Sequence, residues 1–173
     1  MKKTAPQVGI IIGNEADKAI MKEAEKVLIE YGVPFEVNVF KPEQIKQQLA
    51  NFAKNAHSKG ICVIIAGTAG DFNFTATVAD SIAIPVVGVP MRSTTSANNL
   101  ESVFRKLQQP LPSAIATVAL DSGQNAGILA VQILATNDAK LMKKILDFKE
   151  NLKNKILKAN EEMSEIKFDY RTN

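Results

Sequence analysis

The stretch VGIIIGNEADKAIMKEAEKVLIEYGVPFEV, Val8–Val37, decides the fold. It opens on an apolar, β-branched run, Val8–Ile12, nearly continuous in hydrophobicity, which suits a parallel strand covered on both faces. The loop Gly13–Asp17, GNEAD, follows it. A helix is then expected over Asp17–Tyr31, with Ile20, Ala24, Val27, Leu28 and Tyr31 on one face and Gly32 as its stop signal. The next run, FEVNV at Phe35–Val39, alternates more, as an edge strand does. In an α/β sheet a strand–loop–helix junction of this kind is where anionic ligands bind. Backbone N–H groups and the positive end of the helix dipole both point at the loop.

The same pattern repeats downstream. Further strand-like runs are ICVIIA (Ile61–Ala66), PVVGV (Pro85–Val89) and IATVAL (Ile115–Leu120). A second helix over Pro42–Lys59 starts on a first-turn proline, carries Ile45, Leu49, Phe52, Ala53 and Ala56 on one stripe, and ends at Gly60. Further helices are expected over Phe72–Ser81, about Ser96–Leu107, and Gly123–Ala135. Repeated βα units predict an open, doubly wound parallel sheet of about five strands. No internal repeat or low-complexity segment interrupts it.

The last helix differs. It runs from Lys140 to about Ile166 and is rich in lysine, with Leu141, Ile145, Phe148, Leu152 and Ile156 on one stripe. Such a stripe must be buried, either on its own domain or on a neighbouring subunit. The organisation read from the chain is residues 1–139 as the α/β domain, and 140–173 as a helix and tail belonging to that domain or to a subunit interface.

The bulk properties bound the function. A chain of 173 residues makes one domain with a full core. With 46% hydrophobic and 23% charged residues it is an ordinary globular sequence. A net charge of +3, two Tyr, no Trp and no clustered basic stripe argue against a nucleic-acid partner. The single cysteine, Cys62, cannot form an internal disulfide and, lying in an apolar run, reads as an inert buried thiol. The segment ahead of Val8 is basic but has no long apolar stretch, so neither a membrane span nor a signal is expected, and a cytoplasmic protein follows by default.

With the flavodoxin-like strand order 2-1-3-4-5, the chain reverses direction beside the first strand. A crevice then lies outside the carboxyl ends of the first and third strands. That order brings Gly13–Asp17 against the loop GTAGDFN (Gly67–Asn73), where Gly67 and Gly70 let backbone approach a ligand and Asn14, Thr68, Asp71 and Asn73 supply polar groups. A third loop, Pro90–Asn99, adds Arg92 and a hydroxyl run starting at Ser93. Arg92 is the best single candidate for a phosphate or carboxylate contact, and a surface ion pair is its other reading. Gly13 and Gly70 also suit plain turns, and Asp17 or Asn14 a helix cap.

Known motifs are mostly absent. There is no GxxxxGKS/T phosphate loop, no GxGxxG fingerprint and no CxxC or HExxH, so neither a cofactor nor a metal is indicated. His57, the only histidine, sits between lysines near the end of the second helix and reads as solvent-exposed.

Taken with GICVIIAGTAG, IPVVGVPMRS and NAGILAVQILAT, the opening stretch resembles the PurE family, from about Val8 to Leu146. That family includes the mutase (an isomerase) and the carboxylase (a carboxy-lyase) that make carboxyaminoimidazole ribonucleotide in purine synthesis. The resemblance implies a three-layer flavodoxin-like sandwich, a ribonucleotide ligand, and a homo-octamer whose C-terminal helix reaches a neighbour. The site motifs depart from the family's. GSxSD after the first strand is GNEAD here: Gly13 and Asp17 match, while Asn14 and Ala16 replace the serines. SAHRTP is KPEQIK, with Glu43 at the histidine and Gln44 at the arginine. GAGGAAHLPG is GTAGDFNFTA, with Asn73 at the histidine and Thr75 at the proline. In the fourth loop Ser93 matches and Arg92 replaces a glutamine.

Losing the histidines has a chemical consequence. Moving a carboxyl group onto or off an imidazole carbon requires a proton to be delivered and removed there, which histidine does near neutral pH and asparagine does not. Glu43 would serve only if burial kept its carboxyl protonated; otherwise it is a first-turn acid. The reading is therefore a PurE-like protein with a nucleotide-type pocket and altered or lost catalysis. Asp17 would bind ribose, and Gly70 and Ser93 would line the phosphate side with Arg92. The alternative is an active enzyme using Glu43 and Asp71 as a changed acid and base.

Overall fold

The computed structural model describes residues 5–41, 44–69, 72–92 and 114–164. Pro42, Glu43, Gly70, Asp71, Ser93, the helix expected near 96–107 and the tail beyond 164 lie outside the described residues. The chain divides into two compact units, Met1–Leu134 and Ala135–Asn173.

The first unit is an α/β sheet with helices. In chain order it contains β1 (Val8–Ile12), a 3-10 turn (Glu15–Asp17), α1 (Lys18–Tyr31), β2 (Phe35–Val39), α2 (Ile45–Ala56), β3 (Val63–Gly67), α3 (Phe72–Ser81), β4 (Val86–Gly88), β5 (Ala116–Thr117) and α4 (Gly123–Ala135). The five strands are all parallel and lie in the order β2-β1-β3-β4-β5. This is the flavodoxin-like order, with β1 and β3 adjacent: Ile12 pairs with Val39 on one side and with Gly67 on the other.

Three of the four apolar runs form the central strands; the fourth, Ile115–Leu120, departs from that expectation and gives only the two-residue β5, exposed and at an edge of the sheet. Every residue of β1, β3 and β4 is buried, while β2, the alternating run, is half-buried throughout and lies at an edge. Strand side chains alternate between faces. Ile11, Ile64, Ala66 and Val86 therefore share one face, where they form a core with Leu49, Phe52 and Ala56 of α2 and Phe74, Val78 and Ala79 of α3. Phe40 and Phe52 meet there edge to face, with ring centroids 5.8 Å apart. Burying side chains of this size contributes about 1.5–3 kcal/mol each. Ile10, Ile12, Val63 and Ile65 project to the opposite face.

On α1, Met21, Ala24, Val27 and Leu28 are buried, and the helix stops where the left-handed Gly32 (φ 73°) returns its N–H to the carbonyls of Leu28 and Ile29. Helix α4 packs directly on α1. At Gly123 a Cβ would strike the carbonyl oxygen of Ile20, and at Gly127 it would lie 3.0 Å from the carbonyl oxygen of Ala24. The glycine-and-alanine spacing of that segment thus serves helix-to-helix approach.

A second expectation is corrected. Cys62 is exposed. It lies one residue before β3 begins, between the buried Ile61 and Val63, and its Sγ sits 3.4 Å from the carbonyl of Gly60.

The second unit is essentially one helix, α5 (Ala139–Ser164). Asp138 caps its start, its Oδ1 accepting the N–H groups of Lys140 and Leu141 at 2.9 and 3.0 Å. Leu141 and Ile145 are buried, whereas Phe148, Leu152 and Ile156 are 44%, 49% and 54% exposed. Among the described residues no helix is long and apolar enough to cross a membrane.

Candidate functional site

The carboxyl edge of the sheet is where the loops after β1, β3, β4 and β5 meet. The first loop turns at Gly13, which is buried where β1 ends. Asn14 then starts the 3-10 turn, its Oδ1 accepting the N–H of Ala16 at 3.1 Å. That bond makes Asn14 a local cap.

Asp17 follows, and it does not cap α1: its side chain makes no cap hydrogen bond. It is only 4% exposed. Its Oδ2 instead accepts from the hydroxyl of Thr68 at 2.7 Å and from the N–H of Ala69 at 3.3 Å. A buried carboxylate at the positive end of α1, held by two donors from the next loop, is stabilised by both. Thr68 is itself buried.

The two loops are in close contact at their glycines as well. A Cβ at Gly13 would lie 2.7 Å from Oγ1 of Thr68 and 3.2 Å from the ring of Phe74. A Cβ at Gly67 would strike the carbonyl of Val89 and come within 3.1 Å of Met91. Gly13 reads from the sequence as a ligand or turn residue and Gly67 as a point of close backbone approach; in the structure a Cβ at either would meet protein.

The third loop joins through a bridge between Ala69 and Met91. Next to that bridge, Arg92 pairs with Asp121 in the loop after β5, Nε to Oδ2 at 2.6 Å. Arg92 thus satisfies its ion-pair reading, while its side chain stays 66% exposed. Asp121 has no counterpart among the sequence candidates. A signal for it exists in the chain: an acid one residue after an apolar run, at the same edge as the other loops.

Asn73 lies in the first turn of α3, exposed, at the same edge. His57 is exposed, as expected, but it follows the last residue of α2 and precedes β3, which puts it at the amino edge, about a strand length of 16 Å away. Glu43, Asp71, Gly70 and Ser93 lie outside the described residues. Among the described residues no group of three or more His, Cys, Asp or Glu could hold a metal ion.

A hollow of about 670 Å³ lies elsewhere, at the amino ends of β4 and β5, lined by Ile82, Ile84, Pro85 and Ile115 among others. Its lining has no titratable side chain. A ligand site needs convergent polar groups to fix orientation, and those stand at the carboxyl edge.

Comparison with known proteins agrees with this architecture. Residues 7–155 match the family model described as AIR carboxylase. The chain is 36% identical over 161 residues to the N5-carboxyaminoimidazole ribonucleotide mutase of Thermotoga maritima, covering 93% of this chain and 94% of that protein. It is 35% identical over 162 residues to the phosphoribosylaminoimidazole carboxylase of Schizosaccharomyces pombe, covering 94% of this chain but only 29% of that longer protein. The crystal structure of Treponema denticola PurE superposes with a TM-score of 0.79, covering 91% of this chain and 98% of that one, at 15% identity, which speaks to the fold alone. With the sheet order, the loop geometry and near-full-length similarity in agreement, the chain belongs to the AIR carboxylase, or PurE, family.

Proposed function

We propose that this protein keeps a ribonucleotide pocket at the carboxyl edge of its sheet and has altered or lost the family's carboxyl-moving catalysis. The observation that carries the proposal is the position of the histidine. The chain has one, His57, and it stands at the amino edge, whereas Asn73 occupies the first turn of α3, where the family motif has a histidine. An amide side chain does not exchange a proton near neutral pH. The buried Asp17, held by Thr68 and Ala69, supports a retained ribose contact. Arg92, Gly70 and Ser93 would face the phosphate, with Asn14, Gly13 and Gly67 shaping the loops around it.

The experiment pairs binding with turnover. The protein is given carboxyaminoimidazole ribonucleotide, and decarboxylation and carboxyl transfer are followed beside a thermal melt. The expected result is a raised melting temperature without turnover above a heat-killed control. Ligand at a hundredfold its Kd would add about 2.7 kcal/mol. Turnover would favour the second reading, in which Glu43 and Asp71 act as acid and base, and Glu43→Gln and Asp71→Asn should then abolish it. No stabilisation by the ribonucleotide would remove the pocket.

The assembly we propose is a homo-octamer in the cytoplasm. The exposed apolar stripe of α5, Phe148, Leu152 and Ile156, supports a neighbouring chain as its cover.

A further inference from the structure

One carboxylate ties together the loops that follow β4 and β5. Asp121 donates its N–H to the carbonyl of Pro90 at 2.8 Å. Its Oδ1 accepts the backbone N–H of Arg92 at 2.9 Å, and its Oδ2 accepts Nε of the same arginine at 2.6 Å. Asp121 also sits at φ 55°, in the left-handed region. Aspartate tolerates that region better than most residues, though at some cost in strain. An ordinary surface ion pair needs neither the strained backbone nor the two main-chain bonds.

The consequence falls on Arg92. A guanidinium has five N–H donors, one on Nε and four on the terminal amino groups. Asp121 takes Nε and fixes the main chain of the same residue, so both ends of the side chain are constrained. Among the described residues the terminal amino groups have no partner, and the side chain is 66% exposed. Two parallel terminal N–H groups match two oxygens of a phosphate or carboxylate. The residue before Arg92, Met91, bridges to Ala69, whose N–H is 3.3 Å from Asp17. The fork therefore stands on the same connected run of loops as the buried Asp17.

We propose that Asp121 is a positioning residue that presents the terminal amino groups of Arg92 as a fork for the phosphomonoester of the ligand. The proposal rests on the ribonucleotide reading above and is tested separately from it.

The full chain is titrated with carboxyaminoimidazole ribonucleotide, with its dephosphorylated riboside, and with inorganic phosphate. Asp121→Asn keeps a residue that tolerates the left-handed backbone but has one acceptor oxygen instead of two. It should weaken the ribonucleotide and inorganic phosphate about tenfold and leave the riboside unchanged. Arg92→Gln should do the same, and the double variant should lose no more than Arg92→Gln alone. Arg92→Lys should not restore the affinity, because an ammonium has no Nε to be held. Asp121→Gly, which accepts the backbone geometry most easily, should show the same selective loss if the asparagine variant folds poorly.

Wild-type affinity for the ribonucleotide in Asp121→Asn would overturn the proposal. So would an equal loss for ribonucleotide and riboside, which would mark Asp121 as a structural tie only. Inorganic phosphate bound through Arg92 without any ribonucleotide binding would leave the fork standing and remove the ribonucleotide reading. Binding of neither would remove both.

Discussion

The carboxylate of Asp17 accepts the hydroxyl of Thr68 at 2.7 Å across 51 positions of sequence, and both residues are buried. This bond joins the loops after two adjacent parallel strands where the sheet ends. Asp17 is placed by its sequence at the start of a helix, where acids commonly cap. The fold uses it to hold the next loop instead, with the dipole of α1 favouring its charge.

Thr68→Val keeps the shape of the side chain and removes the donor. The buried carboxylate then retains only the longer bond from Ala69. A hydrogen bond to a charged group contributes about 1.5–3 kcal/mol, and stability should fall by that amount. Urea unfolding checks it: the midpoint drops while the slope stays constant. An unchanged midpoint would mean that water replaces the hydroxyl without loss.

Gly13→Ala tests the contact between the same loops from the other side. The new methyl would lie 2.7 Å from Oγ1 and 2.8 Å from Cβ of Thr68, well inside contact distance. Thr68 is β-branched and its hydroxyl is already committed, so it has little room to yield. We expect a loss of about 1–3 kcal/mol, seen as a fall in Tm of roughly 2–4 °C per kcal/mol for a chain of this size. A Tm at or above wild type would show that the loops part easily.

The fold is far more legible in this sequence than the site. Runs such as Val8–Ile12 and Ile61–Ala66 announce buried strands because a strand covered on both faces has no polar position to spare. Phe35–Val39 announces an edge because it does. Strand order then follows from the βα alternation and the family resemblance. Partner choice among polar side chains does not follow, because it depends on which loops the finished sheet brings together. Asp17 reads equally well as a cap, and Arg92 as a ligand contact or half of an ion pair. Asp121, its partner 29 positions away, carries no periodic signal at all. Cys62 departs from its expected burial although Ile61 and Val63 on either side of it are buried: a continuous apolar run does not say which single side chain the finished fold leaves uncovered.

Gly123→Ala separates intrinsic helix preference from packing. Alanine is favoured over glycine within a helix by up to about 1 kcal/mol, so propensity alone predicts stabilisation. Yet a Cβ there strikes the carbonyl oxygen of Ile20 and comes within 3.0 Å of its carbon, and backbone does not swing aside as a side-chain tip does. Packing should win, with a net loss of about 1–3 kcal/mol. Thermal or urea unfolding gives the sign directly, and a more stable variant would show that α4 can lift from α1 at no cost.

Helix α5 gives the prediction with the largest expected effect. Phe148, Leu152 and Ile156 continue the stripe that begins at the buried Leu141 and Ile145, and each is more than two-fifths exposed. On a solitary chain, charges at exposed positions change stability by about 0.5 kcal/mol or less. At positions covered by a neighbour, each charge would have to be stripped of water without a partner, which costs several kcal/mol. The paired substitution Leu152→Glu with Ile156→Glu therefore distinguishes the two cases. Light scattering on the wild-type protein should give the mass of eight chains of 18.8 kDa, and the variant should fall to a smaller species while its far-ultraviolet circular dichroism stays helical. A wild-type monomer, or a variant that keeps the octameric mass, would mean that this stripe is not where the chains meet.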